Sequence, residues 1–134
     1  MATLAAAMDL HLLFSWIWIL IGLGTGVALG ALFARDDWLG GYASWPRRLV
    51  RLGHISFVGT GLLNVAAHWT LTQMPPAPAA ATAVRWAFVA GAVLMPAVCF
   101  LAAFAPRCRL LFAAPVVALG GGAAALVFGV PVTR

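Results

Sequence analysis

Four stretches of the chain are dominated by apolar residues over a length that matters: 12–33, 52–72, 84–105 and 110–130. A hydrocarbon core about 30 Å thick takes roughly 20 residues of α-helix to cross, and each stretch meets that length. None shows the strict apolar-polar alternation that a membrane β-strand requires. Backbone groups in lipid must be satisfied internally. The pattern therefore predicts an all-α integral membrane protein, a four-transmembrane-helix bundle forming a single membrane domain over 1–134.

The connecting segments set the expected topology. A polar and aromatic loop, 34–51, carries Arg35, Asp36, Asp37, Trp38, Tyr42, Trp45, Arg47, Arg48 and Arg51, and a short loop between the last two runs carries Arg107 and Arg109. Six arginines thus lie at one face against Arg85 and Arg134 at the other, which places the arginine-rich loops in the cytoplasm and both termini outside, N-out and C-out. The remaining outer loop, 73–83, is rich in Pro and Ala around Met74-Pro75-Pro76-Ala77-Pro78 and reads as a semi-extended spacer. Trp38, Tyr42 and Trp45 on one side, and Trp16, Trp18, Trp69 and Trp86 on the other, suit the two interfacial belts. The Asp36-Asp37 pair beside Arg35 reads as solvated loop charge.

Composition sharpens this picture. Hydrophobic residues make up 64% of the 134 residues and charged residues only 8%, with a mean hydropathy of +1.03, too little polar surface for a water-soluble domain. The net charge of +5 comes from eight arginines and three aspartates, with no lysine. The arginines sit in short clusters between apolar runs, so no nucleic-acid partner is expected. Cys99 and Cys108 match no disulfide framework or CxxC motif. The start of the chain has no basic n-region before its first apolar run and is expected to be retained. No paired carboxylates, HExxH helix or ordered Ser-His-acid group is present in the membrane runs; Ser15 lies one turn below His11 with only Asp9 nearby. Catalysis by the chain itself is not expected.

Two patterns carry candidate roles. In the first run, Gly22, Gly26 and Gly30 form a double GxxxG of the kind that lets helices approach closely in lipid. Pro96 in the third run, and Pro115 with Gly120-Gly121-Gly122 in the fourth, suggest local bending. In the second run, His54, Gly61 and His68 fall within roughly 40° of one another around a helix, with Asn64 beside them and Ser56 and Thr60 on a neighbouring line. Such a polar face must point into the bundle or toward a partner, and His54 is read as a helix-packing residue.

His54 and His68 are about 21 Å apart along a helix, near opposite surfaces. His11, at the outer start of the first helix, falls at the depth of His68. Two histidines at one depth can ligate one haem iron, with Gly61 opening space for the macrocycle and Asn64 alongside; Met8 and Met74 at the same level offer a softer set suited to copper. The fourteen-residue histidine spacing is similar to that on the haem-bearing helices of cytochrome b-type membrane proteins, which implies haem b as a cofactor. Those proteins carry the pattern on two helices, and this chain carries it on one.

With almost no mass outside the membrane and abundant close-packing residues, the chain reads first as a small non-catalytic subunit. It would dock to a larger membrane complex, such as a respiratory or photosynthetic electron-transfer assembly, or to copies of itself. The alternative is a haem b or quinone-site redox carrier using His11 and His68, and a small transporter comes third, since no acid or arginine lines a pathway. The lysine-free, alanine- and arginine-rich usage points to a bacterial inner membrane.

Overall fold

The structure, a computed structural model, describes residues 9–129. Four helices run in chain order: α1 (Leu10–Phe33), α2 (Trp45–Gln73), α3 (Pro78–Phe104) and α4 (Ala113–Gly129), with a 3₁₀ turn at Trp38–Gly40 and a 3₁₀ stretch, Pro106–Phe112, leading into α4. Each, counting α4 with its lead-in, is long and apolar enough to cross a membrane. The described residues contain no strand. The protein is an all-α, multi-pass bundle that contacts the lipid bilayer.

The helix boundaries depart from the hydrophobic pattern because caps, and not hydropathy, set them. Asp9 caps α1, its Oδ1 accepting from the His11 N–H at 2.8 Å. α2 begins at Trp45, not at 52, because Ser44 caps the Arg47 N–H and Pro46 sits in the first turn, where a proline loses no helical bond. The expected 34–51 loop therefore shrinks to 34–44. It closes through Leu39, Gly40 and Gly41, all at positive φ, a conformation that the two glycines adopt without a Cβ clash. The expected 73–83 spacer shrinks likewise, since Pro78 opens α3 as its first residue and only 74–77 remain between helices. Pro115 falls in the first turn of α4, where its missing N–H has no intrahelical partner to lose, so it starts the helix where a bend was expected.

Arg47, expected in the arginine-rich loop 34–51, lies in the first turn of α2 and is buried at 4% exposure. Its Nη2 donates to the Phe33 carbonyl at 2.8 Å and its Nη1 to those of Asp36 and Arg35 at 3.1 and 3.3 Å, over the Phe33 ring. These carbonyls close the C-terminal end of α1, which a cation stabilises. Trp45 ties the same end together by donating from Nε1 to the Ala102 carbonyl at 3.0 Å.

Packing is sequential: α2 lies against both α1 and α3, and α3 against α4. α2 and α3 form the middle, and α1 and α4 the flanks. Leu49, Val50, Ala102 and Ala103 make a core at the arginine end, and Ala67, Leu71, Val84 and Phe88 make one at the other end.

Glycines mark the closest approaches. A Cβ at Gly22 would stand 2.7 Å from Val58, at Gly26 2.8 Å from His54 and at Gly122 3.0 Å from Phe88, and one at Gly91 would collide with Leu119. Gly30, expected to extend the α1 packing line, has nothing near it. Each i, i+4 step turns about 40° around a helix, so Gly30 has rotated about 80° from Gly22 and left the α2 face. Trp18, expected in an interfacial belt, is half-buried between Phe14 and Phe57, at ring distances of 5.3 and 5.0 Å.

Candidate functional site

His11, Ser15, Asn64 and His68 lie toward the end of the bundle opposite the arginine loops, where α1 and α3 begin and α2 finishes. Asn64 is fully buried there. Its Nδ2 donates to the Thr60 carbonyl at 2.8 Å and to the Phe88 carbonyl of α3 at 3.1 Å. With both N–H groups committed, Oδ1 is left to accept, and it meets His11 Nε2 of α1 at 2.9 Å. His11 therefore carries its proton on Nε2. One amide links three helices.

Ser15 and the α2 hydroxyls do not add reactive groups. Ser15 donates to the His11 carbonyl at 2.7 Å, Ser56 to Gly53 at 2.7 Å, and Thr60 to Ser56 at 2.6 Å. Each hydroxyl proton is spent on its own helix, the usual way to hide a hydroxyl in an apolar interior.

Around His11 stands a charged set. Asp9 Oδ2 lies 3.4 Å from Arg85 Nη2 and 4.0 Å from His68 Nδ1. The His11 backbone N–H holds the Asp9 carboxyl below its ordinary 3.8, opposed by partial burial and helped by Arg85, His68 and the His11 ring. The rings of His11 and His68 are 5.9 Å apart between centroids and tilted by 52°, so the two histidines share one depth. Among the described residues, buried His11 Nδ1, His68 Nδ1 and Arg85 Nε have no hydrogen-bond partner.

The separation of the rings suits ligands on one ion, but the surroundings do not suit a haem. His11 Nε2 is taken by Asn64. Gly61, expected to open space for a macrocycle, is closed by α1: a Cβ there would stand 2.6 Å from Ile19 and 3.2 Å from the Ser15 carbonyl. Gly61 is a helix-packing residue, and Asn64 is a joint between helices where a cofactor contact was expected.

A copper set is no better supplied. Met8 lies outside the described residues, and Met74 is exposed at the end of α2. Among the described residues, no group of three or more His, Cys, Asp or Glu side chains is placed to hold a metal ion.

His54 lies toward the other end of the stripe, against α1. Thr25 gives its hydroxyl proton to the Gly22 carbonyl at 2.9 Å, so His54 Nδ1 donates to Thr25 Oγ1 at 3.2 Å. The ring lies where a Cβ at Gly26 would be. The groups facing it on α1 are a hydroxyl and a glycine, with no second histidine.

Arg85 and Asp9 were not singled out as site residues from sequence. The signal was present in Asp9 two residues before His11, and in an arginine inside the predicted third run at the same depth. Between α1 and α3, beside these groups, opens a cleft of about 400 Å³. No protein-family model matches the chain, and neither does any curated protein or solved structure with which it was compared.

Proposed function

We propose that the chain is a small, non-catalytic subunit of a larger membrane assembly, of the electron-transfer class, in a bacterial inner membrane. The observation that carries this reading is the set of glycines facing away from the bundle. A Cβ at Gly24 or Gly30 on α1, at Gly59 on α2, or at Gly120, Gly121 or Gly129 on α4 would meet no described residue within 4 Å, and five of these six glycines lie on the two flanking helices. In lipid, apolar side chains gain nothing by leaving the acyl chains for one another, so helices associate where small residues let backbones touch. Glycine costs about 1 kcal/mol relative to alanine within a helix, and these glycines return nothing to the isolated chain.

Two features support the reading. Most side-chain hydrogen bonds of the membrane runs stay within the bundle: Asn64 with His11 and Phe88, Ser15 with His11, His54 with Thr25. The segments between the candidate spans are 34–44, 74–77 and Ala105, too little to shape a site for a soluble substrate. The arginine bias orients the histidine end outward, with N-out and C-out termini.

The test is purification of the full chain from its own membranes in a mild detergent, beside Gly30→Leu and Gly121→Leu. Both substitutions point into open space, so the isolated protein keeps its helicity and melting behaviour. The reading expects a stoichiometric membrane partner with the parent chain, reduced about tenfold or more in one variant, an order set by losing close backbone contact. Recovery of the chain alone, or of the same partner at the same yield with both variants, overturns it.

A further inference from the structure

We infer that the open face of α2 holds an anionic phospholipid, with its phosphate on Arg48 and Arg51 and an acyl chain along the apolar residues that follow. The site lies on α2, apart from the glycines of α1 and α4, so its test is independent of the subunit reading. α2 packs on both α1 and α3, yet one stripe of it is left uncovered. Arg48, Arg51, Leu52, Ile55, Gly59 and Leu62 recur at helical spacing within about 100° of the helix surface. Leu52, Ile55 and Leu62 are 47%, 61% and 54% exposed, Arg48 and Gly59 are exposed, and Arg51 is half-buried. The stripe thus runs from two cations at the arginine end to an apolar strip about 15 Å long beneath them, in the order of a phospholipid's head and upper acyl chain.

The two cations are open to an anion. The Arg51 guanidinium lies 4.4 Å from the centroid of the Tyr42 ring, and Tyr42 belongs to the loop before α2, so the side chain reaches back from almost two turns inside the helix toward the surface. A ring face holds the guanidinium without neutralising it. Among the described residues the ion pairs are those of Asp9 with Arg85 and His68, at the opposite end; Asp36 and Asp37 neutralise none of the arginines. The first turn of α2 has no acid, so Arg48 stands at the positive end of a helix dipole, an arrangement that an anion relieves. Arg47, by contrast, is buried with its Nη donors on the carbonyls that close α1.

The stripe selects the chemistry. A soluble anion gains nothing from Leu52, Ile55 and Leu62, and a bare acyl chain gains nothing from the arginines. A zwitterionic headgroup brings its own cation to a surface that already has an excess. A phosphodiester without a cation, carried on acyl chains, satisfies both halves: guanidinium groups bind its oxygens with charge-assisted hydrogen bonds, and the strip beneath receives a chain.

The test is native mass spectrometry of the full chain released from dodecyl maltoside micelles holding equimolar phosphatidylglycerol and phosphatidylcholine with matched acyl chains. The inference expects one retained phosphatidylglycerol, preferred about tenfold or more, the order given by two arginines at a headgroup surface. Arg48→Gln with Arg51→Gln loses that preference, and Arg48→Lys with Arg51→Lys keeps most of it. Arg107→Gln with Arg109→Gln, which removes the same charge from the lead into α4, leaves it unchanged. Should the α2 variants fail to fold, Tyr42→Leu keeps every charge, frees Arg51 and weakens the preference. Equal retention of the two lipids overturns the inference, as does an equal loss in the Arg107 and Arg109 variant, which would mean a diffuse field with no site. An unchanged preference in Tyr42→Leu, or displacement of the lipid by an equal concentration of inorganic phosphate, overturns it as well.

Discussion

Asn64 joins α2 to α1 through His11 and to α3 through the Phe88 carbonyl, and its removal has a calculable direction. Asn64→Ala removes the amide without overpacking this fully buried position and leaves His11 Nε2–H without an acceptor. Interhelical hydrogen bonds in membranes contribute about 0.6–1.7 kcal/mol, and an orphaned buried donor adds to the loss. The variant is expected to unfold about 1–2 kcal/mol more easily in mixed sodium dodecyl sulfate micelles, and adding His11→Phe recovers part of the loss by removing the orphan. Unchanged unfolding would show that the joint carries no stability. The sequence makes this stripe legible, because 100° per residue puts Asn64, Gly61 and His68 on one side of α2. It does not say what each meets. Whether Gly61 faces a cofactor or a helix depends on the rotation of α1 about its axis, and Ile19 and Ser15 turn out to occupy that space. Arg47 was illegible for a related reason: the same guanidinium in a loop or in a helix reads identically until Ser44 and Pro46 are weighed as a helix start.

The four helices were legible as elements because each must hide its backbone from lipid over a known thickness. Their ends were not, since proline serves both as a breaker and as a first residue, and Pro46 and Pro78 are the latter. The glycines show the same limit. GxxxG spacing identified α1 as a close-packing helix, yet only Gly22 and Gly26 meet α2, while Gly61 comes from the other side of that contact. The α1–α2 pair therefore rests on three glycines whose Cβ atoms have no room. Gly61→Val is expected to destabilise the isolated protein by about 1–3 kcal/mol, the cost of overpacking an interface, whereas Gly24→Val, facing open space, changes it by less than about 0.5 kcal/mol. Equal effects of the two in thermal unfolding in detergent would contradict the packing described.

Taken together, the bundle has a settled interior and unsettled flanks. α2 and α3 supply most of the buried core, α1 and α4 are mostly exposed and present glycines that no described residue meets, and the histidine end is held by hydrogen bonds within the protein. A subunit acting through partners holds no pigment of its own, whereas a pigment carrier acting through His11 and His68 holds iron on this chain. A reduced-minus-oxidised visible spectrum of the gently purified protein with whatever accompanies it, compared with His11→Ala and His68→Ala, separates the two. The account predicts that any haem band belongs to a partner and stays with that partner in both variants at equal intensity per partner. A haem band carried by this chain and lost in both variants would contradict it.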